Sequence, residues 1–106
     1  MSACVFISKR KGKAMNIREE ALGLAPYIVE QRRYLHRHPE CSFKEKATTA
    51  YLATELEKMG IAVQLFPDYF GLVGIIKGSA QGKTVLLRAD IDALTIEEKS
   101  GVPYQS

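Results

Sequence analysis

The sequence has no tryptophan, only two cysteines and only two histidines among its 106 residues. Cys4 and Cys41 lack the paired Cys and His spacing of a zinc finger, which excludes a structural zinc site of that class. No apolar run approaches the roughly 20 residues of a membrane-spanning helix, so we expect no membrane partner. A secretory signal pattern is also missing, and we expect a reduced, cytoplasmic protein.

Acidic residues are absent from the first 15 positions. This leader instead carries four of the 15 basic residues, namely Lys9, Arg10, Lys11 and Lys13. The other 91 residues carry 11 basic and 12 acidic side chains, so the net charge of +3 comes from the leader. We expect residues 1–15 to be disordered or an upstream extension before a natural start at Met15, and residues 16–106 to fold. Since no folded basic face remains, we expect no nucleic-acid partner.

Helical periodicity covers the first half of the remaining sequence. Residues 17–25 favour helix, and Pro26 either starts a fresh helix or kinks a continuous one. The helical pattern resumes at Tyr27 and is stopped by Pro39, which pushes His38 toward an extended conformation. Ser42 and Glu45 have the spacing of a capping box, which predicts that a second helix begins there. Its apolar stripe continues to Gly60, a residue type that commonly ends a helix in the left-handed conformation.

The hydrophobic period then changes to two, which predicts strands at residues 61–65, 72–77 and 84–92. The short link between the second and third strands predicts an antiparallel hairpin. Two helices followed by three strands indicate an α/β fold, in which the helices cover one face of a three-stranded mixed sheet portion. The core of such a unit would be small, and its stability marginal.

Polar residues close the third predicted strand. Alternation along a strand places Arg88, Asp90 and Asp92 on one side. Ligands of open α/β sheets bind at strand ends, and a carboxylate there can support a metal site or act as a base. The alternative is a solvated ion pair between Arg88 and one of the two aspartates, because structural ion pairs are common.

The two histidines do not form a convincing metal site. Residues two apart on a helix do not share a face, so His36 and His38 could converge only if His38 lies beyond the helix end. Histidine near a helix C-terminus is also favoured by the helix dipole, which is the simpler interpretation. We expect Glu97 and Glu98 to be solvated, and we assign no metal ligand within this chain.

Three motifs together resemble a known family. Residues 33–45 read RYLHRHPECSFKE, residues 87–98 read LRADIDALTIEE, and residues 101–106 read GVPYQS. In this order and at this separation they resemble the opening signatures of the M20 metallopeptidases, in the branch of aminoacylases, hippurate hydrolases and N-acetyldiaminopimelate deacetylases. The resemblance implies the N-terminal part of a zinc-peptidase-like catalytic domain.

The family resemblance also implies a function for the intact protein. Members hydrolyse the amide bond of N-acyl amino acids with two divalent metal ions, zinc or in some members manganese or nickel, and we expect a homo-oligomer. Asp90 matches the catalytic aspartate that supports the metals without binding them. Arg88 stands where related branches carry a metal-binding histidine, so it is not a ligand, and Asp92 is a supporting residue.

Residues 1–106 lack the metal-binding motifs of the family. The family's Cys-Gly-His-Asp metal motif, paired glutamates and later histidine ligands have no counterpart within residues 1–106. We therefore expect this chain alone to bind no metal and to be inactive. The alternative to an enzyme fragment is a small non-catalytic binding module, or a decayed gene product derived from the same domain.

Overall fold

The computed structural model describes the backbone of residues 2–7 and the whole of residues 16–106. The elements are strand β1 (Ser2–Ile7), helices α1 (Ile17–Gly23), α2 (Ala25–Arg37) and α3 (Lys46–Lys58), and strands β2 (Ala62–Leu65), β3 (Leu72–Ile75) and β4 (Val85–Asp90). The predicted α/β class is confirmed. Among the described residues, no helix has both the length and the apolar character required to cross a membrane.

The chain divides into two compact units. The first contains β1 and Glu40–Thr95, which supply the sheet and α3. The second contains residues 16–39 and Ile96–Ser106, which supply α1, α2 and the closing segment. The predicted strand-end carboxylates belong to the first unit, and the two histidines belong to the second.

The sheet of the first unit has the strand order β2-β3-β1-β4. Strand β2 pairs with β3 in antiparallel fashion, whereas β1 runs parallel to β3 and antiparallel to β4. The predicted hairpin between β3 and β4 is therefore wrong. Strand β1 lies between them and pairs with both, so that Ala3 lies opposite Leu72 on one side and opposite Ala89 on the other.

The expectation of a disordered leader does not hold for residues 2–7, which form β1. This stretch reads SACVFI, and its valine, phenylalanine and isoleucine favour strands. Pairing on both sides satisfies its backbone hydrogen-bonding groups. The rest of the leader lies outside the described residues, and an upstream extension there stays a prediction.

The helices follow the sequence expectation except at one terminus. Pro26 occupies the first turn of a fresh helix, α2, which Leu24 separates from α1. Helix α3 ends as predicted, with Gly60 at φ +74°. Its predicted start is wrong, because Phe43 takes a left-handed φ of +65° and α3 begins only at Lys46.

The buried side chains of the first unit come mainly from α3 and β3. Leu72 on β3 has no exposed surface, and Ala53 on α3 is buried. The opposite edge of the sheet is different, because every residue of β4 is exposed. Its aliphatic side chains, Val85, Leu86 and Leu87, are each more than half exposed.

Candidate functional site at the end of strand β4

Arg88 and Asp90 form an ion pair on β4. The Arg88 Nη2 atom donates a hydrogen bond to Asp90 Oδ1 over 2.7 Å, and both side chains are more than 60% exposed. Their contact confirms that these alternate residues share one side of the strand. The geometry is that of the solvated ion pair considered as the alternative, and it also leaves the carboxylate accessible to a ligand. A catalytic role for Asp90 stays a prediction.

Asp92 has a separate partner. It lies two residues beyond Asp90, past the end of β4, and its Oδ2 atom accepts a hydrogen bond from the Ser42 hydroxyl. This hydrogen bond lowers the pKa of Asp92, and Arg88 makes a smaller contribution in the same direction. The Ser42 hydroxyl therefore binds Asp92 after β4 and does not form the predicted capping box.

The segment that carries Ser42 is fixed to the strand end by Glu40. The Glu40 carbonyl accepts a hydrogen bond from the Ala93 amide over 2.8 Å, and Cys41 pairs with Ala93 in an isolated parallel bridge. The Glu40 carboxylate also accepts from the amides of Ala47 and Thr48, at 3.1 and 2.6 Å. Burial alone would raise the pKa of Glu40, but these hydrogen bonds lower it overall. Glu40 therefore caps α3 in place of the predicted Ser42.

The second unit contains a polar cluster around Glu98, which sequence reasoning missed. Its carboxylate accepts hydrogen bonds from His36 Nε2 at 2.7 Å, the Ser100 hydroxyl at 2.6 Å and the Ser106 amide at 2.9 Å. The donors, Ser100 first, lower the pKa of Glu98 to about 2. Glu98 is the last residue of the LRADIDALTIEE motif, and that place in the motif was the signal available. Glu97 is 83% exposed, as predicted.

The two histidines have different partners. His36 bonds to Glu98, whereas His38 Nδ1 donates to the Tyr34 carbonyl over 2.7 Å within α2 and its C-cap. Arg33, one turn before His36, places its guanidinium 4.7 Å from the centre of the Tyr104 ring. These contacts join α2 to the closing segment of the second unit and do not bring the histidines together.

The described residues do not fit a metal centre by themselves. Across residues 16–106, no three side chains of His, Cys, Asp or Glu are grouped as ligands. At the strand end, the guanidinium of Arg88 lies against Asp90 and its positive charge opposes a cation there. The strand-end carboxylates could orient ligands supplied by other residues, but among residues 16–106 they do not themselves form a ligand set.

Two cavities lie elsewhere in the first unit. One of about 620 Å³ follows residues 75–84, and its ionisable lining residues are Lys77 and Lys83. Another of about 200 Å³ lies beside Phe43 and the turn at residues 66–70, where Phe66 and Tyr69 stack with ring centres 4.7 Å apart. Neither lining contains Asp90 or Asp92, so neither cavity belongs to the strand end.

Comparisons with known proteins identify relatives that match most of this chain. The chain is 40% identical over 90 residues to the Bacillus subtilis protein YhaA, which is named as an amidohydrolase, and covers 23% of its length. It is 40% identical over 94 residues to thermostable carboxypeptidase 2 of Saccharolobus solfataricus, again covering 23%. It is 42% identical over 83 residues to N-acetyl-L-cysteine deacetylase of Bacillus subtilis, covering 20%.

These matches cover 78–85% of this chain. The chain itself spans less than a quarter of the length of each relative. The matched part is N-terminal in them. No protein-family model and no solved structure matches the chain. The level of identity, shared with proteins named as an amidohydrolase, a carboxypeptidase and a deacetylase, agrees with the motifs, and the chain is similar to the N-terminal part of these hydrolases, consistent with the M20 family that the motifs resemble.

Proposed function

We propose that the intact protein hydrolyses the amide bond of N-acyl amino acids, and that this chain supplies part of its catalytic domain. Support comes from the relative named N-acetyl-L-cysteine deacetylase, which is 42% identical over 83 residues. The observation that carries the proposal is the exposed, arginine-held carboxylate of Asp90 at the end of β4. The homo-oligomeric state and the cytoplasmic location stay predictions.

Asp90 acts in this proposal as a support for other residues of the site. Arg88 fixes one carboxylate oxygen over 2.7 Å, which limits the orientations that the group can take. A carboxylate held in this way can accept a hydrogen bond from a metal-binding histidine and orient its ring. Arg88 and Asp92 are supporting residues, since neither belongs to a ligand cluster among the described residues.

The two divalent ions of the proposal, zinc or else manganese or nickel, need ligands that the described residues do not provide. The 106-residue chain on its own is therefore proposed to bind neither ion with useful affinity, because a catalytic site normally requires three protein ligands. It is proposed to be inactive for the same reason.

A non-catalytic binding module is the second candidate. The observation that favours it is the exposed aliphatic row of β4, since exposed apolar patches often mark interaction surfaces. The two candidates differ in whether the segment can still serve an enzyme. Only the enzyme hypothesis predicts that the strand-end geometry of this chain still supports hydrolysis; a binding module or a decayed segment does not require that geometry.

A chimera tests the proposal directly. The matched 83-residue segment of the Bacillus subtilis N-acetyl-L-cysteine deacetylase is replaced by the corresponding residues of this chain. We expect the chimera to release cysteine from N-acetyl-L-cysteine, as measured by the appearance of the free amine. A chimera that folds as the parent deacetylase does, but does not turn over substrate, would favour the second candidate.

The role of Asp90 is tested in the same chimera. We expect Asp90→Asn to lower kcat/KM by about 10- to 100-fold, the usual effect of removing a group that supports metal ligands. Asp68→Asn is the matched control, because Asp68 is an exposed aspartate in the turn before β3. Equal activity of the Asp90 and Asp68 variants would remove Asp90 from the site.

A further inference from the structure

The backbone directly after β4 is held by the segment that precedes α3. The Ala93 amide donates to the Glu40 carbonyl over 2.8 Å, and Cys41 pairs with Ala93 as a parallel bridge. Ala93 is the third residue after Asp90. The direction in which the chain leaves the sheet at Asp90 is therefore fixed by residues about 50 positions earlier in the sequence.

That segment is itself anchored on α3. The Glu40 carboxylate accepts the first-turn amides of Ala47 and Thr48, and the Lys44 amide donates to the Cys41 carbonyl over 2.9 Å. Amides in the first helical turn lack intrahelical acceptors, so an acidic side chain there is strongly favoured. Residues 40–44 thus form a short clamp, attached to α3 at one side and to the strand end at the other.

The clamp contains a strained residue immediately after Ser42. Phe43 has φ +65°, in the left-handed region that a bulky side chain enters only at a cost. Its side chain is 76% exposed, so burial of the ring does not account for this conformation. The left-handed turn redirects the chain from the Ala93 bridge toward α3, and the Ser42 hydroxyl reaches Asp92 from this turn.

We propose that Ser42 is a positioning residue for hydrolysis: its hydroxyl fixes Asp92, and with it the backbone that presents Asp90. The inference rests on the proposed function, because it assumes that Asp90 serves a hydrolytic site. The Ser42–Asp92 hydrogen bond, and the Cys41–Ala93 bridge together with the Glu40–Ala93 hydrogen bond that forms part of it, converge on residues 92 and 93. None of them contacts Asp90 itself, so Ser42 acts through the chain that follows it.

The kinetic test uses the deacetylase chimera. We expect Ser42→Ala to lower kcat about tenfold with little change in KM, the size expected when one charge-assisted hydrogen bond is lost. Ser42→Thr keeps the hydroxyl and is expected to restore most of the rate. Ser79→Ala is the matched control, because Ser79 is an exposed serine in the link between β3 and β4. In an Asp92→Ala background, Ser42→Ala should cause no further loss, since its partner is already gone.

Two kinetic results would overturn the inference. One is an unchanged kcat in Ser42→Ala, even if the variant unfolds at a lower temperature. The other is additive losses from Ser42→Ala and Asp92→Ala, which would mean that Ser42 does not act through Asp92. Failure of the proposed function has a different signature, because the unsubstituted chimera would then be inactive or Asp90→Asn would keep its rate.

The coupling is also measured without activity. Carboxyl titration by NMR in the 106-residue chain follows the pKa of Asp92 with and without the Ser42 hydroxyl. We expect Ser42→Ala to raise that pKa toward its ordinary value, while Ser79→Ala leaves it unchanged. An Asp92 pKa that does not respond to Ser42→Ala would overturn the inference, whatever the chimera does.

Discussion

The hydrogen bond between Thr49 and Gly71 provides the sharpest test of how the first unit is held together. Thr49 on α3 is buried, and its Oγ1 atom accepts the Gly71 amide over 3.0 Å in a buried setting. Gly71 has φ +121° and immediately precedes Leu72, which has no exposed surface. The bond therefore connects α3 to the start of β3.

Thr49→Val separates the hydrogen bond from packing. Valine has nearly the same shape and a similar helix propensity, so the main change is that the Gly71 amide loses its acceptor. Leaving a buried donor unsatisfied costs about 1–3 kcal/mol in the free energy of unfolding. Thr49→Ser keeps the acceptor and removes one methyl group, which costs about 0.8 kcal/mol. We expect the valine variant to be the less stable of the two, although valine is the more hydrophobic residue.

Urea unfolding of the 106-residue chain measures this difference. The chain has no tryptophan, so far-UV circular dichroism is the suitable signal. With a urea dependence of about 1 kcal/mol per molar, the smallest value usual for small proteins, a 2 kcal/mol loss lowers the midpoint by roughly 2 M. An osmolyte such as trimethylamine N-oxide restores a folded baseline if the valine variant is unfolded in buffer. A valine midpoint equal to or above that of the serine variant would refute the reasoning.

Two further predictions concern the second unit and the whole chain. The pKa of Glu98 is lowered from 4.5 to about 2, so its stabilising effect is complete above about pH 4.5 and is lost as the pH falls toward 2. Thermal unfolding between pH 2 and 6 should show this loss, and Glu98→Gln should flatten it; identical profiles would contradict the assignment. The purified 106-residue chain should not hydrolyse N-acetyl-L-cysteine with added zinc, and turnover that a chelator abolishes would disprove its proposed inactivity.

Sequence reasoning located the elements well where one local rule decided the outcome. The stop at Gly60 depends on a single residue's backbone preference and is confirmed, and Pro26 starts a fresh helix, which is one of the two outcomes that its fixed backbone angle allows. The alternating strand pattern likewise placed Arg88 and Asp90 on one side. Such features depend on one residue or on residues close together in the sequence, so they can be predicted from the sequence alone.

The failures involve competition between distant partners. A capping box at Ser42 is reasonable locally, but Glu40 takes the helix amides and Asp92 takes the serine hydroxyl. The hairpin between β3 and β4 fails because β1 pairs with both strands. The prediction that Glu98 is solvated misses its polar cluster, because two of the donors, His36 and Ser106, lie 62 residues before it and 8 residues after it. Spacing rules contain no information on which of several donors a carboxylate will choose.

The uncovered aliphatic row of β4 has a consequence for the fate of this polypeptide in a cell. Apolar side chains on both faces of this edge strand are exposed to water, namely Val85, Leu86 and Leu87. Chaperones and proteases recognise exposed apolar segments of this kind. Steady-state abundance would then be governed by quality control and by how soon other polypeptide covers the row. Synthesis rate alone would be a poor guide to how much of this chain accumulates.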